Sequence, residues 1–290
     1  MTVFQSLILG LVEGLTEYLP VSSTGHLIIT QYLLGIDKST AMDAFEICIQ
    51  GGAILAVLGL YFKRCTRMLM GLLGRDEEGR RLLINMLIAF LPAAVIGLLC
   101  AKPIKAFLFN APTVTLTWAL GGIVILLYVR KRSRRPDAFG GAPLEQLGWK
   151  GALGIGFMQC IAMIPGTSRS LMTMLGGLCV GLSVAAAVEF SFLLGLITLG
   201  AATAHDALKH GGDMLHHFGW QPLVAGTLMA WASALVAVKW MVGYLNRHSL
   251  AIFGWYRLAA AAVMLGLIFC GLQTEPEAEP AASPAATATP

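Results

Sequence analysis

The chain has 290 residues, of which 57% are hydrophobic and only 12% are charged. This composition excludes a soluble globular domain and indicates a polytopic membrane protein. The formal net charge of +4 does not indicate a nucleic-acid surface, because in a membrane protein the placement of Lys and Arg matters more than their sum.

The first apolar stretch, residues 2–36, is interrupted where a membrane span would be continuous. Pro20 and the polar run that follows it, as far as Gly25, separate two apolar pieces. Each piece is shorter than the roughly 20 residues that cross a bilayer. Irregular backbone at that depth is tolerated only where protein or a water-filled cavity surrounds it. The pattern therefore predicts a re-entrant helix-loop-helix that enters and leaves on one side.

The same pattern occurs a second time further along the chain. Three spans follow the first interruption, at residues 45–62, 82–101 and 113–129. A second interrupted segment, residues 151–181, is broken near Pro165, and Pro20 with the three residues after it aligns with Pro165 and its successors. Three more spans are predicted at residues 185–204, 222–244 and 253–272.

These segments predict an all-α integral membrane protein built as an inverted-topology repeat. An odd number of spans in each half places the second copy upside down relative to the first. The first repeat is assigned to residues 1–135 and the second to residues 136–273, each with one re-entrant hairpin and three spans. Residues 274–290, rich in Ala, Pro, Glu and Thr, are predicted to be a disordered tail. Paired broken helices point to a site at the repeat interface.

The distribution of basic residues predicts the orientation. Residues 63–81 and 130–150 each contain six Lys or Arg, and Arg247 lies in a short loop on the same side. The opposite side receives only Lys38, Lys102, Lys105 and Lys209. The basic side is therefore expected to be cytoplasmic. Both termini and the first re-entrant segment are then expected to open to the periplasmic side.

Two carboxylates lie in the first interrupted segment. Glu13 and Glu17 are four positions apart, so both project from one face of a helix. A central acid costs about 2.5 to 3.5 kcal/mol in a membrane, which favours a functional explanation. Adjacent carboxylates require a proton or a cation between them, and oxygen ligands suit Mg²⁺ or Ca²⁺. The alternative is a structural pair that caps loop amides or lines a wet vestibule.

Three hydroxyl residues and a histidine follow the proline. Ser22, Ser23 and Thr24 lead into a helix expected to begin near His26, so helix capping competes with a catalytic role. His26 lies three positions after Ser23 and four after Ser22, a spacing that brings its ring near either hydroxyl. A nucleophile and its general base require this proximity.

The second break contains one charged residue, Arg169, between Ser168 and Ser170. Gly166 permits close backbone approach, and the helix start adds free amides and a positive dipole. With the guanidinium, these groups form an anion cradle that suits phosphate. The alternative is a salt bridge from Arg169 to Glu13 or Glu17, which substrate phosphate would replace.

The remaining polar residues of the spans have simpler explanations. Residues 205–217 contain four histidines and two aspartates. A solvated extracytoplasmic loop is favoured there over a metal site. Lys239 and Arg257 are expected near cytoplasmic helix ends, with their side chains reaching toward the interface.

At these residues the chain resembles the bacterial undecaprenyl-diphosphate phosphatase family of the bacitracin-resistance type. The resemblance extends to about Gly271 and is carried by three motifs. They are G-x-V-E-G-L-T-E-Y-L-P-V-S-S-T-G-H-L at residues 10–27, F-E-x-x-I-Q-G-G from Phe45, and P-G-T-S-R-S-x-x-T at residues 165–173. Where the family usually has glycine after S-R-S, this chain has Leu171.

The resemblance implies an enzyme of the bacterial inner membrane. Its expected reaction converts undecaprenyl diphosphate to undecaprenyl phosphate and inorganic phosphate, which recycles the lipid carrier for peptidoglycan synthesis and confers bacitracin resistance. The expected partners are the lipid substrate and the bilayer, without nucleic acid. The oligomeric state is open, with a homodimer among the alternatives.

The resemblance also implies roles for individual residues. Glu13 and Glu17 belong to the metal and acid/base face, and Ser22, Ser23 and His26 to the catalytic loop. Ser168, Arg169 and Thr173 belong to phosphate binding, and Ser170 and Thr24 are expected to contribute to it.

The mechanistic hypothesis is attack by Ser23 on the terminal phosphorus while His26 takes its proton, with Mg²⁺ or Ca²⁺ and Arg169 offsetting phosphoryl charge. A phosphohistidine at His26 and direct attack by water are alternatives. The rival from another class is an inverted-repeat transporter or flippase for an anionic lipid, which needs an anion site but no nucleophile with its base.

Overall fold

The computed structural model describes residues 1–37, 39–134 and 140–271. The helices in chain order are α1 (Val3–Thr16), α2 (Ser23–Leu33), α3 (Thr40–Leu60), α4 (Phe62–Leu72), α5 (Glu77–Leu108), α6 (Ala111–Arg132), α7 (Trp149–Ile161), α8 (Arg169–Cys179), α9 (Val184–Phe218), α10 (Trp220–Leu245) and α11 (Ala251–Phe269). Within the described ranges the chain forms no strand, so the predicted all-α class is confirmed. The predicted tail, residues 274–290, lies outside them.

Six helices in the described part of the chain are long and apolar enough to cross a membrane. Their apolar stretches are Ala41–Leu60, Glu77–Cys100, Ala111–Arg132, Val184–His205, Trp220–Leu245 and Ala251–Phe269. Each stretch overlaps one of the six predicted spans, so all six predictions are confirmed. Many apolar side chains on these helices are exposed, Leu98 and Leu99 by 86% and 75%, as expected for surfaces that contact lipid.

The first interrupted segment folds back on itself as hairpin 1, formed by α1 and α2. Helix α1 has 14 residues and is about 21 Å long, too short to cross about 30 Å of hydrocarbon. The Gln5 side chain, in the first turn of α1, donates to the Leu34 carbonyl oxygen at the end of α2, at 3.3 Å. The two outer ends of hairpin 1 therefore lie together, and the break around Pro20 forms its tip.

The second interrupted segment forms hairpin 2 from α7 and α8. Helix α7 has 13 residues, and α8 has 11 residues, the same length as α2. The Ala142 amide donates to the Gly181 carbonyl oxygen at 2.9 Å, and the Ser183 amide donates to the Ala142 carbonyl oxygen at 3.0 Å. These bonds join the chain before α7 to the chain after α8, so the outer ends of hairpin 2 also lie together.

The outer ends of the two hairpins lie at opposite ends of α3. At the start of α3, Met42 and Phe45 pack in one cluster with Leu9 and Leu34 of hairpin 1. Just beyond the other end of α3, Arg64 pairs with Glu145, which lies just ahead of α7, at 2.9 Å. Helix α3 has 21 residues and is about 31 Å long. The hairpins thus approach the middle of the protein from opposite ends.

One expectation about the connections is wrong. Residues 205–217 do not form a loop, because α9 continues as a helix to Phe218. A hydropathy pattern predicts the end of a span where polar residues begin. A helix needs no apolar side chains, so α9 continues beyond the apolar part of the chain. The side chains of residues 206 and 209–217 lie outside the described part, so their packing and the metal alternative have no structural account.

Hairpin 1 packs against α10 through close backbone contact at glycine. A Cβ atom added to Gly10 would overlap the carbonyl oxygen of Gly226, and one added to Gly14 would overlap that of Ala230. Small residues four positions apart allow such close approach between membrane helices. The opposing atoms are backbone, so they cannot rotate away from a new side chain.

Gly10→Ala is therefore expected to lower the free energy of unfolding by about 1–3 kcal/mol, as overpacking does. The measurement is the thermal unfolding temperature of the purified protein in detergent. The matched control is Gly59→Ala in α3, where an added Cβ atom has no neighbour within 4 Å. Equal unfolding temperatures for the two variants would contradict this account of the α1–α10 contact.

Candidate active site

The tips of the two hairpins lie in direct contact. The Ser170 hydroxyl, at the start of α8, donates to the carbonyl oxygen of Leu19 in the first break at 2.9 Å. Arg257 of α11 donates to carbonyl oxygens of both breaks, those of Pro20 and Gly166. The two polar interruptions of the chain therefore meet at one place.

The second helix of each hairpin follows a serine in an unusual backbone conformation. Ser22 has a φ of 71° and Ser168 a φ of 76°, and they are the only non-glycine residues with positive φ in the described chain. This region is strained for residues with a Cβ atom, and such strain clusters at functional sites. Ser22 and Ser168 therefore hold the same place in their hairpins, whereas the predicted alignment of Pro20 with Pro165 would pair Ser168 with Ser23. Ser23 then corresponds to Arg169.

Glu17 lies where the two second helices begin. The Ser23 hydroxyl donates to one Glu17 carboxylate oxygen at 2.6 Å. The Arg169 guanidinium contacts the other carboxylate oxygen at 3.4 Å. This is the salt bridge anticipated as the alternative for Arg169. The first residue of each second helix, Ser23 in α2 and Arg169 in α8, therefore contacts the same buried carboxylate through its side chain.

The Arg169 guanidinium is held on three sides. It donates to the Ser191 carbonyl oxygen at 3.0 Å, and it lies over the ring of Tyr18, 5.5 Å from the ring centroid. A Cβ atom on Gly195 of α9 would lie 2.7 Å from the same guanidinium. Glycine at position 195 therefore leaves the space that the arginine occupies.

Glu13 is buried beside this junction, with 1% of its surface exposed. Its Oε1 atom has no hydrogen-bond partner. Within the described residues, no three His, Cys, Asp or Glu side chains are arranged to hold a metal ion. The residues that would hold a cation here are Glu13 and Glu17. This donor set fits Mg²⁺, which keeps several waters, better than Ca²⁺, which takes six to eight oxygen ligands.

His26 does not contact a serine hydroxyl, contrary to expectation. One ring nitrogen, Nδ1, lies 2.7 Å from the Ser22 carbonyl oxygen, and Nε2 lies 2.6 Å from the Tyr256 hydroxyl. A carbonyl oxygen only accepts, so these partners place the proton on Nδ1, and Nε2 accepts from Tyr256. The turn of helix between residues 22 and 26 directs the ring to the backbone. Glu17 holds the Ser23 hydroxyl instead.

The hydroxyls expected to bind phosphate divide into two groups. Ser170 and Thr173 are fully buried, and their hydroxyls bond to protein atoms: Thr173 to the Ser191 hydroxyl at 2.6 Å and to the Arg169 carbonyl oxygen at 2.9 Å. The hydroxyls of Ser170 and Thr173 therefore stabilise the second break by internal hydrogen bonds. Ser168 lies beside the cavity described next and accepts from the Leu171 amide at 3.3 Å. Leu171, the departure from the family pattern, is fully buried.

A cavity of about 150 Å³ opens at the junction. It is lined by Glu17, Ser22, Ser23, Thr24, Gln50, Phe109, Ala162, Met163, Pro165, Gly166, Ser168, Arg169 and Leu199. Its volume is several times what one water needs. The lining combines polar groups of both hairpins with apolar side chains. A phosphorylated lipid would require both, the polar groups for its phosphate and the apolar side chains for its tail. Glu13 and His26 are not among the lining residues.

Sequence reasoning missed two residues of this region. Arg257 is not at an interface, because it is fully buried and bonded to the breaks. Gln50 lines the cavity from α3. The signal for Arg257 is its place in an apolar helix, because an ionisable residue inside a membrane marks a functional site.

Comparison with known proteins gives consistent results. The family model described as Bacitracin resistance protein BacA matches residues 6–263. A Methylococcus capsulatus protein named undecaprenyl-diphosphatase is 47% identical over 267 residues, covering 92% of this chain and 95% of the relative. Undecaprenyl-diphosphatase 1 of Chromobacterium violaceum is 44% identical, covering 93% and 97%. The undecaprenyl-diphosphatase of Sorangium cellulosum is 46% identical, covering 91% and 86%.

Proposed function

Because the chain belongs to the bacitracin resistance protein BacA family, we propose that it hydrolyses undecaprenyl diphosphate to undecaprenyl phosphate and inorganic phosphate. The observation that carries the proposal is the shared cavity, where a serine hydroxyl, a carboxylate and an arginine meet. The reaction recycles the lipid carrier for peptidoglycan synthesis and confers bacitracin resistance. The chain is a multi-pass protein of the bacterial inner membrane.

The first chemical step is attack on the terminal phosphorus by the Ser23 oxygen. The terminal phosphate displaces Glu17 from Arg169, and the guanidinium and both helix starts then offset charge on the phosphoryl oxygens. Glu17, already 2.6 Å from the Ser23 hydroxyl, takes its proton. The bond from phosphorus to the bridging oxygen breaks, and undecaprenyl phosphate leaves with the electron pair.

The second step releases phosphate from Ser23. Water attacks the phosphoserine, the serine oxygen regains a proton from Glu17, and inorganic phosphate leaves. His26 has Nε2 as a proton acceptor, but its ring does not line the cavity, so it takes a proton from water only if Tyr256 releases the ring and the ring turns toward the cavity. A divalent cation held by Glu13 and Glu17 would neutralise phosphoryl charge when bound.

The same proposal includes an inverted repeat, residues 1–135 and 136–273, with the site where the halves meet. Hairpins of matching helix lengths that approach from opposite ends of α3 support it, as do the paired serines 22 and 168. Basic residues of α4 and the start of α5 gather at one end of α3, the end expected to be cytoplasmic. Hairpin 1 and both termini then lie on the periplasmic side, where the substrate is expected.

The test is phosphate release from undecaprenyl diphosphate by the purified protein in detergent. We expect release that depends on enzyme concentration and falls on addition of EDTA, with recovery when Mg²⁺ is restored. A transporter or flippase would move the lipid between leaflets of a vesicle and leave it intact. Failure to release phosphate with any divalent cation would exclude the hydrolase.

A further inference from the structure

We propose that Arg257 is a positioning residue that fixes the two hairpin tips relative to each other, an inference that rests on the hydrolysis proposed above. Its guanidinium donates to the Pro20 carbonyl oxygen at 3.3 Å and to the Gly166 carbonyl oxygen at 2.8 Å. A third bond goes to the Thr117 carbonyl oxygen in α6 at 2.9 Å. One side chain thus joins the first break, the second break and a membrane-spanning helix.

The position requires a guanidinium. Backbone carbonyls in an irregular segment have no helical partner, and at membrane depth water is scarce, so protein must supply the donors. Arg257 is fully buried, and its described partners are backbone oxygens from three separate segments. Arginine presents five donors in a rigid planar fork, whereas lysine concentrates its donors at one point. Lysine keeps the charge but cannot bridge three separated carbonyls in the same way.

Two residues of α6 accommodate the Arg257 side chain and contact the second break. A Cβ atom added to Gly121 would overlap a terminal nitrogen of Arg257. One turn earlier, the Thr117 hydroxyl donates to the Pro165 carbonyl oxygen at 2.7 Å, which adds a second link to the same break. Helix α6 therefore leaves space for the guanidinium and holds the second break beside it.

The bridged carbonyls set the distance between the reacting groups. Pro20 lies three positions before Ser23, and Gly166 lies three positions before Arg169. Fixing these two carbonyls fixes the starts of α2 and α8, which carry the nucleophile and the phosphate-binding cation. A shift of about 1 Å in such groups can cost on the order of 100-fold in rate. The loss falls on the chemical step, because Arg257 itself is not among the residues lining the cavity.

The test compares wild type with Arg257→Lys, measuring kcat and KM for phosphate release from undecaprenyl diphosphate together with the thermal unfolding temperature. We expect kcat to fall about 100-fold while KM changes less than about threefold. Lys239→Met, which removes an exposed charge on α10, is the matched control and is expected to keep wild-type kinetics. Gly121→Ala displaces the guanidinium without changing it and is expected to show the same selective loss of kcat.

The outcomes separate this inference from the proposed function. If wild type releases no phosphate, the proposed function fails whatever the variants do. If wild type is active and Arg257→Lys keeps kcat within threefold, or raises KM alone, positioning by Arg257 is overturned. If Arg257→Lys does not fold, Gly121→Ala decides, and a kcat within threefold of wild type for that variant overturns the inference.

Discussion

Arg169→Ala is expected to lower kcat/KM for phosphate release by at least about 10³-fold, the scale on which a single arginine acts in phosphoryl transfer. Arg169 lines the cavity and begins α8, so in the proposed reaction it would meet the phosphate with both its charge and its helix start. Charge grows on the phosphoryl oxygens during the reaction, and a buried cation stabilises it strongly because little water competes. The measurement is steady-state kinetics on the purified variant.

Two further variants test whether the effect depends on geometry. Arg169→Lys keeps the charge but loses the planar fork, so its rate is expected to lie between those of alanine and wild type. Gly195→Ala keeps the arginine but would place a methyl group 2.7 Å from its guanidinium, which must shift, so activity is expected to fall. Activity within tenfold of wild type for Arg169→Ala would remove Arg169 from the mechanism.

Ser23→Ala is expected to lower kcat by about 10³-fold or more, because in the proposed mechanism it removes the attacking oxygen. The Ser23 hydroxyl is directed at Glu17 in the cavity, while His26 is directed away from it toward Tyr256. Rapid acid quenching of wild type should trap phosphate on Ser23, detected by mass spectrometry of the peptide that contains it.

His26→Ala serves as the comparison for this assignment. If His26 acts on water in the second step, its loss slows release but leaves phosphoserine formation detectable. Near-normal turnover by Ser23→Ala together with complete loss in His26→Ala would show that the serine is not the nucleophile. Phosphate found on His26 after an alkaline quench, which phosphohistidine survives, would also exclude Ser23 as the attacking residue.

The membrane spans and the two breaks could be predicted from the sequence, because each depends only on residues that are close together in the chain. A span is an apolar run of sufficient length, and a break is a proline with hydroxyl residues inside such a run, so Pro20 and Pro165 marked both tips. The extension of α9 to Phe218 was missed because hydropathy reports compatibility with lipid and not helicity.

The contacts within the site were less accessible because they depend on tertiary placement. The spacing along the helix predicts that the His26 ring lies near Ser23. In the structure its Nε2 atom instead bonds to the hydroxyl of Tyr256, which is 230 positions away in the chain. Arg257 was assigned to an interface from its position in the chain, whereas the fold carries it to the hairpin tips. Short motifs identified the acids, the serine and Arg169, and only the fold showed which of them touch.

Whether the two hairpins form one active site can be measured by a double-mutant cycle between them. The measurement is kcat/KM for Ser23→Ala in hairpin 1, Arg169→Ala in hairpin 2, and the two combined. When two groups act on one phosphate in one transition state, removing either of them already removes most of the benefit of both. We therefore expect the double variant to be no more than about tenfold slower than the slower single variant. Losses that multiply, as for independent sites, would contradict a single active site.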